Sequence, residues 1–138
     1  MPGTADEFVI ELTGGVYAGA AARRAVMAHV PELPEPLDGD VLLLVTELVT
    51  NAVVHGRVGP EGSVRLECRR EGDRLRFLVS DPGTRLLSNG GPPAVTPQGA
   101  NGDRPASGWG LVLVERIAER WGVLAAPPGT CVWFEVVA

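Results

Sequence analysis

L-L-L-V-T-E-L-V-T-N-A-V-V-H-G, from Leu42 to Gly56, repeats its apolar residues at a helical period and carries Glu47 and Asn51 inside that run. Residues four apart on a helix stack on one face, so a carboxylate and a carboxamide point together at whatever that face meets. Leaving such groups buried without partners costs on the order of 1–3 kcal/mol each. The face is therefore expected to line a cavity whose occupant takes a base and a neutral oxygen ligand.

Outward from this helix the pattern alternates. Before it, Phe8, Ile10 and Leu12 interleave with Val9 and Glu11 as a short strand ending at Gly14-Gly15. The Ala-rich stretch from Val16 to Val30 then predicts a helix stopped by Pro31. A proline-rich connector leads to Asp38, expected to cap the Glu47 helix, and Gly56 suits that helix's end. After it, Val64, Leu66 and Cys68 alternate with charged neighbours, Glu71-Gly72-Asp73 turns, and Leu75, Phe77 and Val79 alternate back, predicting a hairpin.

From Gly83 to Ser107 periodicity vanishes among glycines at 90, 91, 99 and 102 and prolines at 92, 93, 97 and 105. A loop this long in a compact domain is expected to be disordered or to act as a lid. Leu111, Val114, Ile117, Ala118 and Trp121 then keep helical spacing up to Gly122, and strands are expected near 123–125 and 131–137. Antiparallel strands with helices on one face make an α+β sandwich, and the long loop opens onto the space between the layers. No internal repeat is visible, and 138 residues fit a single domain, 1–138.

Composition excludes several classes of function. Hydrophobic residues make up 45% and charged residues 21%, unlike a disordered chain. No apolar run reaches the roughly 20 residues that cross a bilayer. The start, M-P-G-T-A-D-E, lacks the basic and apolar segments of a secretory signal, so the expected location is cytoplasmic. A net charge of −5 argues against nucleic-acid binding. All 12 basic residues are arginines, which rules out a lysine-dependent phosphate loop. Cys68 and Cys131 have no zinc spacing and read as small core residues.

Three further segments converge on the interlayer space. V-S-D-P-G places Asp81 where a buried strand ends, able to accept from an exocyclic amino group, with Gly83 allowing close approach. Ser107-Gly108-Trp109-Gly110 opens a helix, whose free N–H groups suit a phosphate. Gly129-Thr130 brings a hydroxyl to the start of the last strand. Each has a plainer reading alone: D-P-G is a common turn, G-W-G a common cap, and Glu47 could be a solvated helix residue.

In combination the chain resembles the GHKL (histidine-kinase-like) ATPase superfamily, and within it the anti-sigma-factor serine/threonine kinases and their actinobacterial relatives. E-L-V-T-N-A-V-V-H-G resembles the N box, V-S-D-P-G and S-G-W-G-L-V-L-V the two glycine boxes, and G-T-C-V-W-F the terminal threonine strand. The resemblance runs from about Val16 to the last strand. It implies a Bergerat-type sandwich, a mostly antiparallel sheet of four to five strands covered on one face by about three helices, with an ATP lid at about 84–107.

The resemblance further implies ATP and Mg²⁺ as cofactors. Asn51 would coordinate the metal, Asp81 the adenine amino group, and Gly83 would admit the base. Ser107, Gly108, Gly110 and Leu111 would cradle phosphate, Thr130 would help read adenine, and Glu47 would act as the base. Thr84-Arg85 stands where many relatives carry a second glycine, and Arg85 and Arg104 are the lid's candidate phosphate cations. The implied partners are an anti-sigma-factor antagonist, phosphorylated on Ser or Thr, and a sigma factor, with Arg23 and Arg24 at the contact helix unless they are simply solvated. Relatives also pair as homodimers through the sheet or first helix. A non-catalytic nucleotide-gated binding module and a slow ATPase use the same residues, and a phosphorylated partner separates the kinase from both.

Overall fold

The computed structural model describes residues 7–82, 109–126 and 129–138. Five strands form one antiparallel sheet: β1 (Phe8–Thr13), β2 (Ser63–Glu71), β3 (Arg74–Asp81), β4 (Arg120–Ala126) and β5 (Gly129–Val137), in the order β1-β2-β3-β5-β4. Three helices accompany it among the described residues: α1 (Ala18–His29), α2 (Leu37–His55) and α3 (Trp109–Ile117). The expected α+β sandwich is thus the observed one, and the five-strand count falls within the expected range.

Alternation builds the layers. Residues paired across a ladder share a face. Leu66↔Val79, Cys68↔Phe77 and Phe77↔Phe134 therefore assemble one apolar surface. Leu66, Leu75, Phe77, Phe134 and Val136 are buried there with Val41, Leu44, Val45, Leu48 and Val49 of α2 and Ala22 and Val26 of α1. The rings of Phe77 and Phe134 stack at its centre, 5.1 Å between centroids. α2 is the central helix, packed on β2 and β3 and flanked by α1 and α3.

The other face of the sheet carries Arg65, Glu67, Arg74, Arg76, Arg120 and Glu135. Glu135 is 3% exposed although no described helix covers it. Three arginines from neighbouring strands enclose its carboxylate: Arg120 donates from Nε and Nη2 at 2.9 and 2.8 Å, Arg76 donates from Nε at 2.8 Å, and Arg74 stands 3.6 Å away. Arg76 also lies over the Trp133 ring, 4.8 Å from its centroid. Burial pushes the Glu135 carboxyl up, but the hydrogen bonds and charges of Arg120 and Arg76 outweigh it, so the group titrates below its ordinary value.

Several expected boundaries move. Pro36 occupies the position before α2, so Asp38 does not cap it. Asp38 lies in the first turn with Asp40, where acids oppose the positive helix end, and accepts from the Gly39 N–H at 2.6 Å. α1 is two residues shorter at its start and one at its end than the run from Val16 to Val30.

The larger correction concerns Trp121 and Gly122. Their spacing continues a helix, yet α3 ends at Ile117 and both residues belong to β4, with Trp121 opposite Phe134. The Glu119 N–H donates to the Glu135 carbonyl at 2.8 Å and starts this ladder, and the Trp121 Nε1 donates to Glu115 of α3 at 3.0 Å. Long-range pairing with β5 outweighs the local period. The cysteines are both buried: Cys68 lies in the core, while Cys131 lies on the opposite face.

Candidate functional site

Glu47 and Asn51 stand one turn apart on the flank of α2's buried stripe, both half-buried. The apolar positions Leu44 and Leu48 anchor that stripe to the core. The two polar residues are therefore held at the edge of the interlayer space, neither sealed in nor fully solvated.

The end of α2 reaches the sheet at Asp81. A Cβ placed on Gly56 would stand 3.1 Å from Asp81 Cγ and 2.6 Å from the Ala52 carbonyl oxygen. Gly56 is thus required by close packing and not by backbone twist: its φ is −84°, and the left-handed step after the helix is taken by Arg57, φ +55°. The Gly56 N–H returns to Ala52 O at 2.9 Å and that of Arg57 to Val54 O at 3.3 Å, closing the helix end against the strand.

Asp81 and Thr130 face each other directly across the β3–β5 ladder. Asp81 shares the covered face with Val79 and Phe77 by strand period, which is why it meets α2. A Cβ on Gly129 would collide with the Asp81 carbonyl oxygen, so the glycine before Thr130 lets the two strands close at this point. Both Asp81 and Thr130 are half-buried. On the opposite face the preceding pair is Ser80↔Cys131. Burial pushes the Cys131 thiol up, the Ser80 hydrogen bond partly counteracts it, and the charges of Glu67 and Asp81 add to the rise.

One end of the sandwich therefore collects Asp81, Thr130 and the terminal turns of α2 bearing Asn51 and Glu47. Gly110 and Leu111 fall in the first turn of α3, which packs against α2. The expected phosphate-cradling backbone is thus at a helix start. Gly83, Ser107, Gly108 and the 84–107 segment, with Arg85 and Arg104, lie outside the described residues. Arg23 and Arg24 are exposed on α1, which packs on α2 and on the β1 edge, away from β4 and α3. They are not brought into the site.

The donor set is oxygen-rich: a carboxamide and a carboxylate on α2, a carboxylate and a hydroxyl on the sheet. Among the described residues no three His, Cys, Asp or Glu side chains converge as a metal cluster. Such a set suits a hard cation that keeps most of its ligands as water and phosphate, as Mg²⁺ does, and Asn51 fits it as a single protein ligand. Among the described residues, no helix is long and apolar enough to cross a membrane.

Sequence reading missed two structural supports of this site, the contact between Gly56 and Asp81 and the closure at Gly129. Both depend on which strands become neighbours, and the only local sign of either was a glycine at an element's end.

Residues 17–136 match the histidine kinase-like ATPase domain family. The chain is similar to the anti-sigma F factor of Clostridium kluyveri, 41% identical over 64 residues, 45% of either chain. It is also similar to the anti-sigma F factor of Clostridium beijerinckii, 39% identical over 67 residues, 46% of this chain and 47% of the relative. The matched stretch thus spans just under half the length of these curated relatives.

Proposed function

Since the chain belongs to the histidine kinase-like ATPase domain family, we propose that it binds Mg-ATP at the Asn51–Asp81–Thr130 end of the sandwich. There it would act as an anti-sigma-factor type serine/threonine kinase in the cytoplasm. The observation that carries this reading is the pairing of Asp81 with Thr130 against the end of the helix that bears Asn51 and Glu47. Base recognition and phosphate handling need separate groups at opposite ends of one ligand, and α2 spans that separation.

In this reading Asp81 accepts from the adenine amino group, with Thr130 beside it. Asn51 would hold Mg²⁺ through its carboxamide oxygen, and the ion would supply charge neutralisation at the phosphates. The start of α3 offers backbone N–H groups to the phosphates. Glu47 accepts the proton of a partner's Ser or Thr hydroxyl as that oxygen bonds to the γ-phosphorus and the bond to the β-phosphate oxygen breaks, leaving ADP. The relatives' names, anti-sigma F factor, support a sigma factor as one partner. The phosphorylated partner in this proposal is an anti-sigma-factor antagonist, with Arg23 and Arg24 as the docking cations on α1.

The test is phosphotransfer from γ-labelled ATP to candidate antagonist proteins, compared between wild type and Glu47→Ala. Loss of a general base lowers the rate about 10²–10⁴-fold. Equal transfer by the variant removes Glu47 from that role. Nucleotide binding without any labelled partner favours a nucleotide-gated binding module, and release of free phosphate favours a slow ATPase.

A further inference from the structure

We propose that Glu115, held by the indole of Trp121, is a positioning residue for the phosphate end of the nucleotide site; this rests on the nucleotide-binding reading above. Trp121 Nε1 donates to Glu115 Oε1 at 3.0 Å, across a connection of only two residues, 118 and 119, between α3 and β4. Two backbone bonds complete the corner. The Ala118 N–H donates to the Val114 carbonyl at 2.9 Å and the Glu119 N–H to the Glu135 carbonyl at 2.8 Å.

The carboxylate is in an unfavourable place for a helix on its own. Glu115 lies in the last turn of α3, where the helix end is negative and an acid is disfavoured. The simpler role for it is to satisfy a buried donor, since Trp121 is buried and its N–H needs an acceptor. That role concerns stability and involves no ligand, so experiment can separate the two.

What α3 lacks elsewhere makes the bond matter. Its nine residues fall short of the roughly 12–15 that hold a helix by themselves, so its direction comes from packing. Val114 is its one fully buried side chain among the described residues, with Leu113 and Ile117 partly buried beside it. Apolar contacts of this kind are non-directional, whereas a hydrogen bond prefers one alignment. The Glu115 bond therefore sets the tilt. The helix is about 13 Å long, and a tilt of about 5° at the anchored end moves its first turn by about 1 Å. Through β4 the same bond ties that turn to the base end, because Ala125 of β4 lies opposite Thr130.

The test compares full-length wild type with Glu115→Ala, Glu115→Gln, Trp121→Phe and the double variant Glu115→Ala/Trp121→Phe. Calorimetry measures Mg-ADP affinity, displacement of Mg-ADP by adenosine measures the base end alone, and urea unfolding reports stability. Glu119→Ala, at the exposed neighbour in the turn, controls for the loss of a negative charge.

Glu115→Ala and Trp121→Phe are each expected to weaken Mg-ADP binding at least about fivefold, the size of one lost hydrogen bond. The double variant should lose no more than either single one, since both remove the same bond. Adenosine affinity should stay within about twofold of wild type, and Glu115→Gln, which keeps an acceptor oxygen, should restore most of the Mg-ADP affinity. Unchanged Mg-ADP affinity in Glu115→Ala overturns the inference alone, whatever happens to stability. An equal loss for adenosine and Mg-ADP also overturns it, by reducing Glu115 to a general support of the fold. Adenosine that fails to displace Mg-ADP from wild type overturns the separation of base and phosphate ends, and the inference with it. Absence of heat with Mg-ADP and wild type overturns the nucleotide reading and the inference together.

Discussion

The two faces of the sheet are made from alternate residues of the same strands, and each sets its acid in a different place. On the open face Glu135 is enclosed by Arg74, Arg76 and Arg120, so its charge is answered within the chain. On the covered face the ladder is apolar until its last pair, Asp81 and Thr130, which stays half-buried at the mouth of the interlayer space. Glu135 sits among guanidinium groups of its own face, whereas Asp81 lies against the end of the helix that bears Asn51 and Glu47. The difference makes that end of the covered face the candidate site.

The contrast is sharpest at adjacent residues of β5. Phe134 lies at the centre of the covered face, stacked on Phe77, and Phe134→Ala is expected to cost about 3–5 kcal/mol in urea unfolding. A loss below about 1 kcal/mol would mean that the apolar layer does not carry the fold.

Glu135 gives the next largest effect. Glu135→Gln retains the shape but leaves three guanidinium groups without their shared charge, and a loss of about 1–3 kcal/mol is expected at neutral pH. Because the folded-state carboxyl titrates below its ordinary value of about 4.3, its stabilisation is fully present above that value. It is lost as pH falls through the lowered one. The gap between wild type and Glu135→Gln should therefore close in acid, as followed by unfolding midpoints from pH 7 downward. A gap independent of pH would remove the ion-pair account.

The smallest effect belongs to Val9, exposed on the edge strand β1. Val9→Thr keeps the β-branched shape, and stability should stay within about 0.5 kcal/mol of wild type. A larger loss measured in the same urea series would mean that the open face is covered by something in solution.

Much of this was legible before any coordinates. β1, β2 and β3 alternate cleanly because each has one face in the core and one in water, and α2 shows its period because its buried stripe is long. Trp121 was misread because positions 114, 117, 118 and 121 satisfy a helical spacing, while its true partner, Phe134, lies in another strand. Glu135 carries no local signal of its role, since nothing in the sequence around it announces that three arginines from β3 and β4 will surround it. Within the site, Glu47 and Asn51 were visible from helical spacing alone. The facing of Asp81 and Thr130 is a register property that no local pattern contains, and Gly56 signalled a helix stop when its structural work is to make room for Asp81.

The central claim is that this end of the covered face is a nucleotide site read by Asp81, and calorimetric titration of Mg-ATP into wild type and Asp81→Asn tests it most directly. The account predicts micromolar binding to wild type and at least about tenfold weaker binding to the variant, the value of one hydrogen bond to a charged group, with unchanged unfolding by urea. No heat at millimolar nucleotide, or equal affinity in the two proteins, would contradict it.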